Sequence, residues 1–337
     1  HLVYAKSREK EFVDRIHGLS YQDIASRGGG ILNSVEHTRN MSFDELFSNS
    51  LNRLYELITL GTGAIEIKSG YGLDVESELK LLKVIQKLKS VSPIPIKATF
   101  LGAHAIPRSF ANDKSGYIQL IINELLPQIA RNNLADFCDI FCENGYFDYD
   151  DVILLMSEAK KYGLIPKVHA EQLSHSRGIE AGIKVEAISV DHVEFANNVD
   201  IQNLYSSKTI ANILPGAAFF LNLPHPPVRK MIDNGLGISI ASDYNPGSSP
   251  SGNMHLMTSI ACVQYKITPN EAINATTING AYAMNLENEV GSITIGKRAN
   301  FIVLKDCPNL DYIPYSFGMN IIDEVWINGK PFKNNCL

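Results

Sequence analysis

The chain has 337 residues, room for one large domain and a small one, and its 30 Lys+Arg against 36 Asp+Glu leave a net charge of −6. Charge is spread along the chain with no basic cluster, which argues against nucleic acid or an anionic membrane as partner and leaves a small-molecule substrate. Apolar residues make up 45 %, and no run approaches the roughly 20 apolar residues of a membrane helix.

Five cysteines (Cys138, Cys142, Cys262, Cys307 and Cys336) form no C-x-x-C pair and no even framework. Cys138 and Cys142 sit in an apolar run and read as buried free thiols. With no signal peptide, this points to a reducing cytoplasm. The chain starts at His1 rather than Met, which reads as a missing N-terminal piece.

Short apolar runs alternate with amphipathic stretches. Leu2-Val-Tyr4 reads as the end of a first strand. Gly63–Ser69 is a strand, followed by a helix over Val75–Ser90. Pro95–Leu101 is a strand, followed by a helix over Tyr117–Asn132. Phe137–Phe141 precedes a helix over Asp150–Tyr162, and Pro166–Ala170 precedes one over His175–Gly182. Ala187–Asp191 precedes Val199–Ser206, Ile210–Leu214 precedes Pro227–Asn234, and Gly237–Ala241 closes the series. The strands read as apolar on nearly every position, the pattern of parallel strands covered on both faces by helices. Seven or eight βα units predict a TIM (β/α)₈ barrel, with a doubly wound open sheet as the competitor. Beyond Asp243 come helices over Met254–Val263 and Pro269–Met284. Three short strands follow, Gly291–Gly296, Asn300–Leu304 and Asp323–Asn328. They predict a small β-unit, with residues 1–285 forming the barrel domain and 286–337 the C-terminal part of a β-sandwich whose N-terminal part is absent.

Nearly every predicted strand ends in a polar residue: Lys68 with Tyr71, His104, Glu143, His169, His192 and Asp243. Barrel strands all open on one face, so these groups converge on one mouth. Imidazole and carboxylate donors with an open position suit a catalytic Zn²⁺ or Fe²⁺, which activates water and polarises a carbonyl. Bland readings stand beside this one. A lone strand-end histidine is more often structural than a ligand, Asp243 before Tyr-Asn-Pro-Gly suits an Asx turn, Tyr71 suits a packed loop, and the run Arg8–Glu11 suits a solvated face. Repetition of polar ends in one frame favours a metal hydrolase.

The stretches His1-Leu-Val-Tyr with Ser7-Arg8, Gly28-Gly-Gly-Ile31, Lys68-Ser-Gly-Tyr-Gly-Leu73, Phe100-Leu-Gly-Ala-His104, Val168-His-Ala-Glu-Gln172, Asp191-His192 and Ser242-Asp-Tyr-Asn-Pro-Gly-Ser248 resemble the amidohydrolase superfamily. Within it the resemblance, over essentially the whole chain, is to the imidazolonepropionase family of histidine degradation. It implies a TIM barrel with a β-sandwich built from both chain ends, and one metal ion, Zn²⁺ or Fe (2+/3+). The family's first strand ends in His-x-His; His1 matches the second of the pair and the first has no counterpart here. His169 and Asp243 match the other ligands. Strand four offers no lysine to bridge two ions, and Glu143 is a poor substitute. Arg8, Tyr71, His104, Gln172, Asn245, Gly247 and Ser248 match substrate contacts, and His192 the histidine beside the reaction centre. The implied reaction is hydrolysis of 4-imidazolone-5-propanoate to N-formimidoyl-L-glutamate, with Asp243 as proton acceptor and donor. The alternatives are another cyclic amidohydrolase or deaminase of the superfamily, or a barrel that has lost its chemistry. A homodimer is compatible with the resemblance.

Overall fold

The computed structural model describes residues 1–19, 23–24 and 27–333. The seven strands predicted between Gly63 and Ala241 are all present and pair in chain order as one parallel seven-stranded sheet: β1 (Ile65–Lys68), β2 (Ile96–Ala103), β3 (Phe137–Cys142), β4 (Ile165–Ala170), β5 (Ser189–His192), β6 (Ile210–Ile213) and β7 (Ile238–Ile240). Helices lie between them because each parallel step needs a crossover.

Polar side chains recur at every second position of the strands, at Glu66 and Lys68, Thr99, Asp139, Lys167 and His169, and Ser189 and Asp191. A period of two puts them on one face of the sheet. Their contacts show that the sheet curls around that face. Lys68 on β1 lies 3.0 Å from Asp191 on β5, and Lys167 on β4 lies 2.7 Å from Glu66 on β1. In a flat sheet β1 and β5 would stand about 19 Å apart, four strand spacings. The expectation of strands apolar on nearly every position is thereby corrected: the outer face packs on helices, while the inner face carries ions.

Leu2–Tyr4 forms no strand, although Leu2 and Val3 are buried. The segment is held by Arg53, which donates to the Leu2 and Tyr4 carbonyls (3.0 and 2.8 Å) and lies over the Tyr4 ring. At its start the His1 backbone nitrogen donates to the Tyr244 carbonyl just after β7 (3.0 Å), while the His1 ring stacks on Tyr71 just after β1. The segment therefore spans the gap between the sheet's two edge strands.

Among the described residues, the helices α1 (Glu9–Ile16), α2 (Ile31–Asn40) and α3 (Phe43–Thr59) precede β1 with no counterpart among the predicted elements. The last starts in a capping box, Ser42 with Glu45, a signal the sequence does carry. The predicted helix at His175–Gly182 is Gly178–Lys184, and Pro269–Met284 breaks at Thr277 into Pro269–Thr276 and Ile278–Ala283.

Near the C-terminus β8 (Phe301–Leu304), β9 (Ile322–Ile327) and β10 (Lys330–Pro331) form an antiparallel sheet in the order β10-β9-β8. Gly291–Gly296 is not a strand. Its alternating Ile293 and Ile295 are fully exposed, because no described strand lies beside them to pair. Val325 and Ile327 from β9 join the main core, whereas Phe301 and Val303 of β8 face outward. Cys138 and Cys142 are buried free thiols as expected; Cys336 lies outside the described residues. No described helix is long and apolar enough to cross a membrane.

Candidate active site

The loops after the strands build one cleft. After β1, Gly70 turns with φ +107, where an added Cβ would stand 2.8 Å from the Leu101 carbonyl. Buried Glu78 pins this loop by accepting from the backbone of Gly70, Gly72 and Leu73 (3.2, 2.7 and 3.0 Å), which fixes Tyr71 between them. After β2, the His104 ring meets the Gly70 carbonyl through Nδ1 (3.0 Å). Burial, then the nearby His169, push its pKa down to about 3, so the ring is neutral at ordinary pH.

On β4, His169 points Nδ1 at Asp139 of β3 (3.0 Å), leaving Nε2 for the cleft. Glu143, at the end of β3, accepts from the backbone of Leu173 and Ser174 and so secures the loop that carries Gln172. It does not line the cleft, in line with its poor standing as a bridging ligand. His192 ends β5 almost fully buried. Burial works against its protonation, but Glu194, and then Asp243 and Asp191, outweigh it and raise its pKa. After β7 the Asx turn belongs to Asn245 and not, as the bland reading had it, to Asp243: Asn245 donates to the Asp243 carbonyl (2.6 Å) and its side-chain oxygen accepts from the backbone of Gly247 and Ser248 (2.8 Å each). Ser248 donates to the Asp243 carboxylate (3.1 Å).

Arg8 overturns its bland reading. It is 8 % exposed and forks onto Glu11 through Nε and Nη2 (2.8 and 2.5 Å). Glu11 also accepts from the Gly30 backbone and Asn33, which ties the Gly-Gly-Gly stretch to the same pair. Gly247 leaves room for the guanidinium; a Cβ there would stand 2.2 Å from Arg8 Nη1.

Thus His1, Arg8, Tyr71, His104, His169, Gln172, His192, Asp243, Asn245, Gly247 and Ser248, the residues the resemblance assigned to the site, line one cleft, while Lys68 and Glu143, also noted at strand ends, do not. Ile31, Phe141, Leu173 and Leu221 complete its wall. Four imidazoles run around it in a chain. The His1 ring stacks on His104 at 4.6 Å, His104 lies 6.4 Å from His169, and His169 lies 5.3 Å from His192.

The ligand atoms gather differently from the expected set. Among the described residues, the His, Cys, Asp and Glu side chains that converge within 4.8 Å are Asp139, His169 and Asp191, a possible metal-binding group. Lys68 already supplies a cation there: its Nζ lies 2.6 Å from Asp139, 3.0 Å from Asp191 and 3.0 Å from Glu66. Burial disfavours the charge, yet these carboxylates hold the Lys68 pKa well above its ordinary value. An ammonium so placed competes with a metal ion for these carboxylates; the mouth above this network also offers ligand atoms. There the His1 Nδ1 is buried without a hydrogen-bond partner, and the His169 imidazole and the Asp243 carboxylate line the same space. Two imidazoles and a carboxylate suit Zn²⁺ or iron. The supporting groups Glu11, Glu66, Glu78, Asp139, Lys167 and Asp191 were not singled out in the sequence. The period-two polarity of the strands was the signal for the four on the sheet.

A parallel sheet curled around polar side chains, with histidines and an aspartate at its strand ends, defines an amidohydrolase-type α/β fold. The sequence model of the Amidohydrolase family matches residues 146–332. A zinc-bound adenosine deaminase from Xanthomonas campestris superposes with TM-score 0.70 at 14 % identity, covering 93 % of this chain and 74 % of that one. A triazine hydrolase variant gives 0.71 at 11 % identity, covering 93 % and 77 %. Among curated relatives, the imidazolonepropionase of Christiangramia forsetii is 53 % identical over 330 residues, 98 % of this chain and 80 % of that protein. That of Thermoanaerobacter pseudethanolicus is 43 % identical over 325 residues, 96 % and 78 %. The chain belongs to the imidazolonepropionase branch of the amidohydrolase family.

Proposed function

We propose that the chain hydrolyses 4-imidazolone-5-propanoate to N-formimidoyl-L-glutamate, a step of histidine breakdown. The observation that carries this is one cleft holding an anchored arginine, neutral ring-binding side chains and a His192–Asp243 pair, in a chain 53 % identical to an imidazolonepropionase. The sheet is completed as a (β/α)₈ barrel by the Leu2–Tyr4 segment, which bridges its edges.

His1, His169 and Asp243 would hold a single Zn²⁺ or iron ion, which would supply a Lewis acid and lower the pKa of water in the cleft. Arg8, its orientation set by Glu11, receives the substrate carboxylate. Tyr71, His104 and Gln172 hold the ring, and the turn at Asn245, Gly247 and Ser248 keeps Asp243 aimed. Asp243 takes a proton as water attacks the ring carbonyl carbon, and returns it to the ring nitrogen as the carbon–nitrogen bond breaks. His192 stabilises the charge that develops on the carbonyl oxygen.

A panel of imidazolone propanoate, hydantoin, cytosine and dihydroorotate, assayed with metal analysis of the same sample, tests the reading. Turnover of the first alone, with one ion per chain, is expected; turnover of another ring in its place overturns it. For Arg8→Ala the expected result is a KM raised about tenfold or more with kcat changed far less, since the lost contact is made equally in ground and transition states. An unchanged KM removes Arg8 from substrate binding.

A further inference from the structure

The chain turns abruptly where β5 ends. His192 and Val193 both take positive φ, 86° and 63°, a conformation costly for any side chain and more so for a β-branched one. The turn is fastened to β4 and its loop: the Val193 backbone donates to the Ala170 carbonyl (3.0 Å) and that of Phe195 to the Glu171 carbonyl (2.9 Å). The strained turn folds the chain back, so that the residue two places on lies behind the His192 ring. Glu194 Oε1 stands 3.7 Å from His192 Nδ1.

That carboxyl is in an expensive place. The Glu194 side chain is 0 % exposed, and neither of its oxygens has a hydrogen-bond partner. His192 Nδ1 is likewise buried with no hydrogen bond. The Tyr265 hydroxyl, from the helix Met254–Tyr265, is a further buried group without a partner. Buried polar groups are ordinarily satisfied, and each one left unsatisfied is destabilising. Local rules broken together beside a catalytic side chain mark a place where stability has been given up for function.

We propose that Glu194 is a positioning residue for the hydrolysis, turning its carboxyl to His192 Nδ1 and so fixing the plane and tautomer in which Nε2 faces the cleft. The inference rests on the role given to His192 above. A small rotation of either side chain brings the two atoms within hydrogen-bonding reach, and catalytic hydrogen bonds are commonly long until substrate is bound. Glu194 is not among the residues that line the cleft; it acts through the imidazole, as the outer partner does in other His–carboxylate pairs.

The test compares Glu194→Leu and Glu194→Gln in the metal-loaded enzyme. For Glu194→Leu, kcat is expected to fall about 10- to 100-fold, the usual loss for an outer partner, while KM and metal per chain stay within about twofold. Its Tm should hold or rise, because a buried unsatisfied carboxyl has been replaced by an apolar group of similar size. Glu194→Gln keeps an acceptor oxygen for Nδ1–H and should recover most of the lost kcat. An unchanged kcat in Glu194→Leu overturns the proposal. So does a fall in kcat, Tm and metal together that Gln does not rescue, which is the mark of a structural residue. Ring ¹⁵N shifts of His192 separate this from the choice of substrate. A tautomer change in Glu194→Leu, absent in Glu194→Gln, upholds the contact even if imidazolone propanoate proves not to be turned over; identical shifts in all three proteins sink it.

Discussion

Asp243→Asn is expected to leave the fold in place and remove most of the turnover. Asp243 sits at φ 49, a backbone region that asparagine tolerates as readily as aspartate. The loop around it is held through groups the substitution keeps: its own carbonyl accepts from Asn245, and an amide oxygen can still accept from Ser248. The Tm should therefore move by no more than about 2 °C. What is lost is the proton acceptor and one ligand charge. General acid–base groups contribute about 10²–10⁴-fold, and kcat should fall by roughly 10³ or more. The substrate's carboxylate is bound elsewhere, so KM should change little. A variant that bound metal and kept kcat within about tenfold of the parent would remove Asp243 from the proton transfer.

Lys68→Met is the substitution with the largest expected effect on stability. Its ammonium lies among Glu66, Asp139 and Asp191, and the Met side chain has similar length but no charge. Lys167 makes its ion pair with Glu66 and acts on Asp191 only from further off. Breaking a buried ion pair by removing one member costs about 3–5 kcal/mol, because the remaining charges are left uncompensated. The pH dependence should reverse as well. In the parent, burial raises the Asp191 pKa, but Lys68 and then Lys167 outweigh it and hold the group down at about 2. A depressed carboxyl supports stability above its ordinary pKa and loses that support as pH falls through the lowered value. In Lys68→Met burial and mutual repulsion push both carboxyls up from their parent values, with Lys167 still acting on Asp191 and His169 on Asp139, so protonation relieves them and stability should rise as pH falls from about 7 to about 5. Urea midpoints at those two pH values decide it. Adding Asp139→Asn to Lys68→Met should recover part of the loss, since the two sites are coupled. A single variant as stable as the parent would show that the network contributes nothing.

Much of this was legible in the sequence because the chemistry stands at strand ends. Short apolar runs located all seven strands, and Tyr71, His104, His169, His192 and Asp243 followed as the residues just where each run stopped. The interior was missed for the converse reason. Glu66, Asp139, Lys167 and Asp191 lie within the runs, and a count of apolar residues hides a period of two that only a curled sheet makes meaningful; Lys68 was noted at a strand end, but not as the cation of this network. Lys68 and Asp191 are 123 residues apart in sequence, so nothing local announces their contact. Arg8 was legible only through the resemblance, because a charged run is ordinarily solvated and its burial depends on Glu11 and on the empty space at Gly247. Glu194 could not have been found at all, since its nearness to His192 comes from two backbone angles. Gly291–Gly296 failed differently: its alternation is genuine, but a strand is a property of a pair.

The two sheets differ in what opening them requires. The strands from β2 to β6 are buried nearly throughout, and freeing an amide there exposes the core that holds the whole chain together. The three strands near the C-terminus are two to six residues long and show Phe301 and Val303 to solvent, so their amides exchange through local opening at a small fraction of that free energy. Every residue of the cleft belongs to the slow unit or to the segments tied to it. The tail can therefore fray and reclose many times in the life of one folded molecule while the groups that bind the ring stay in register.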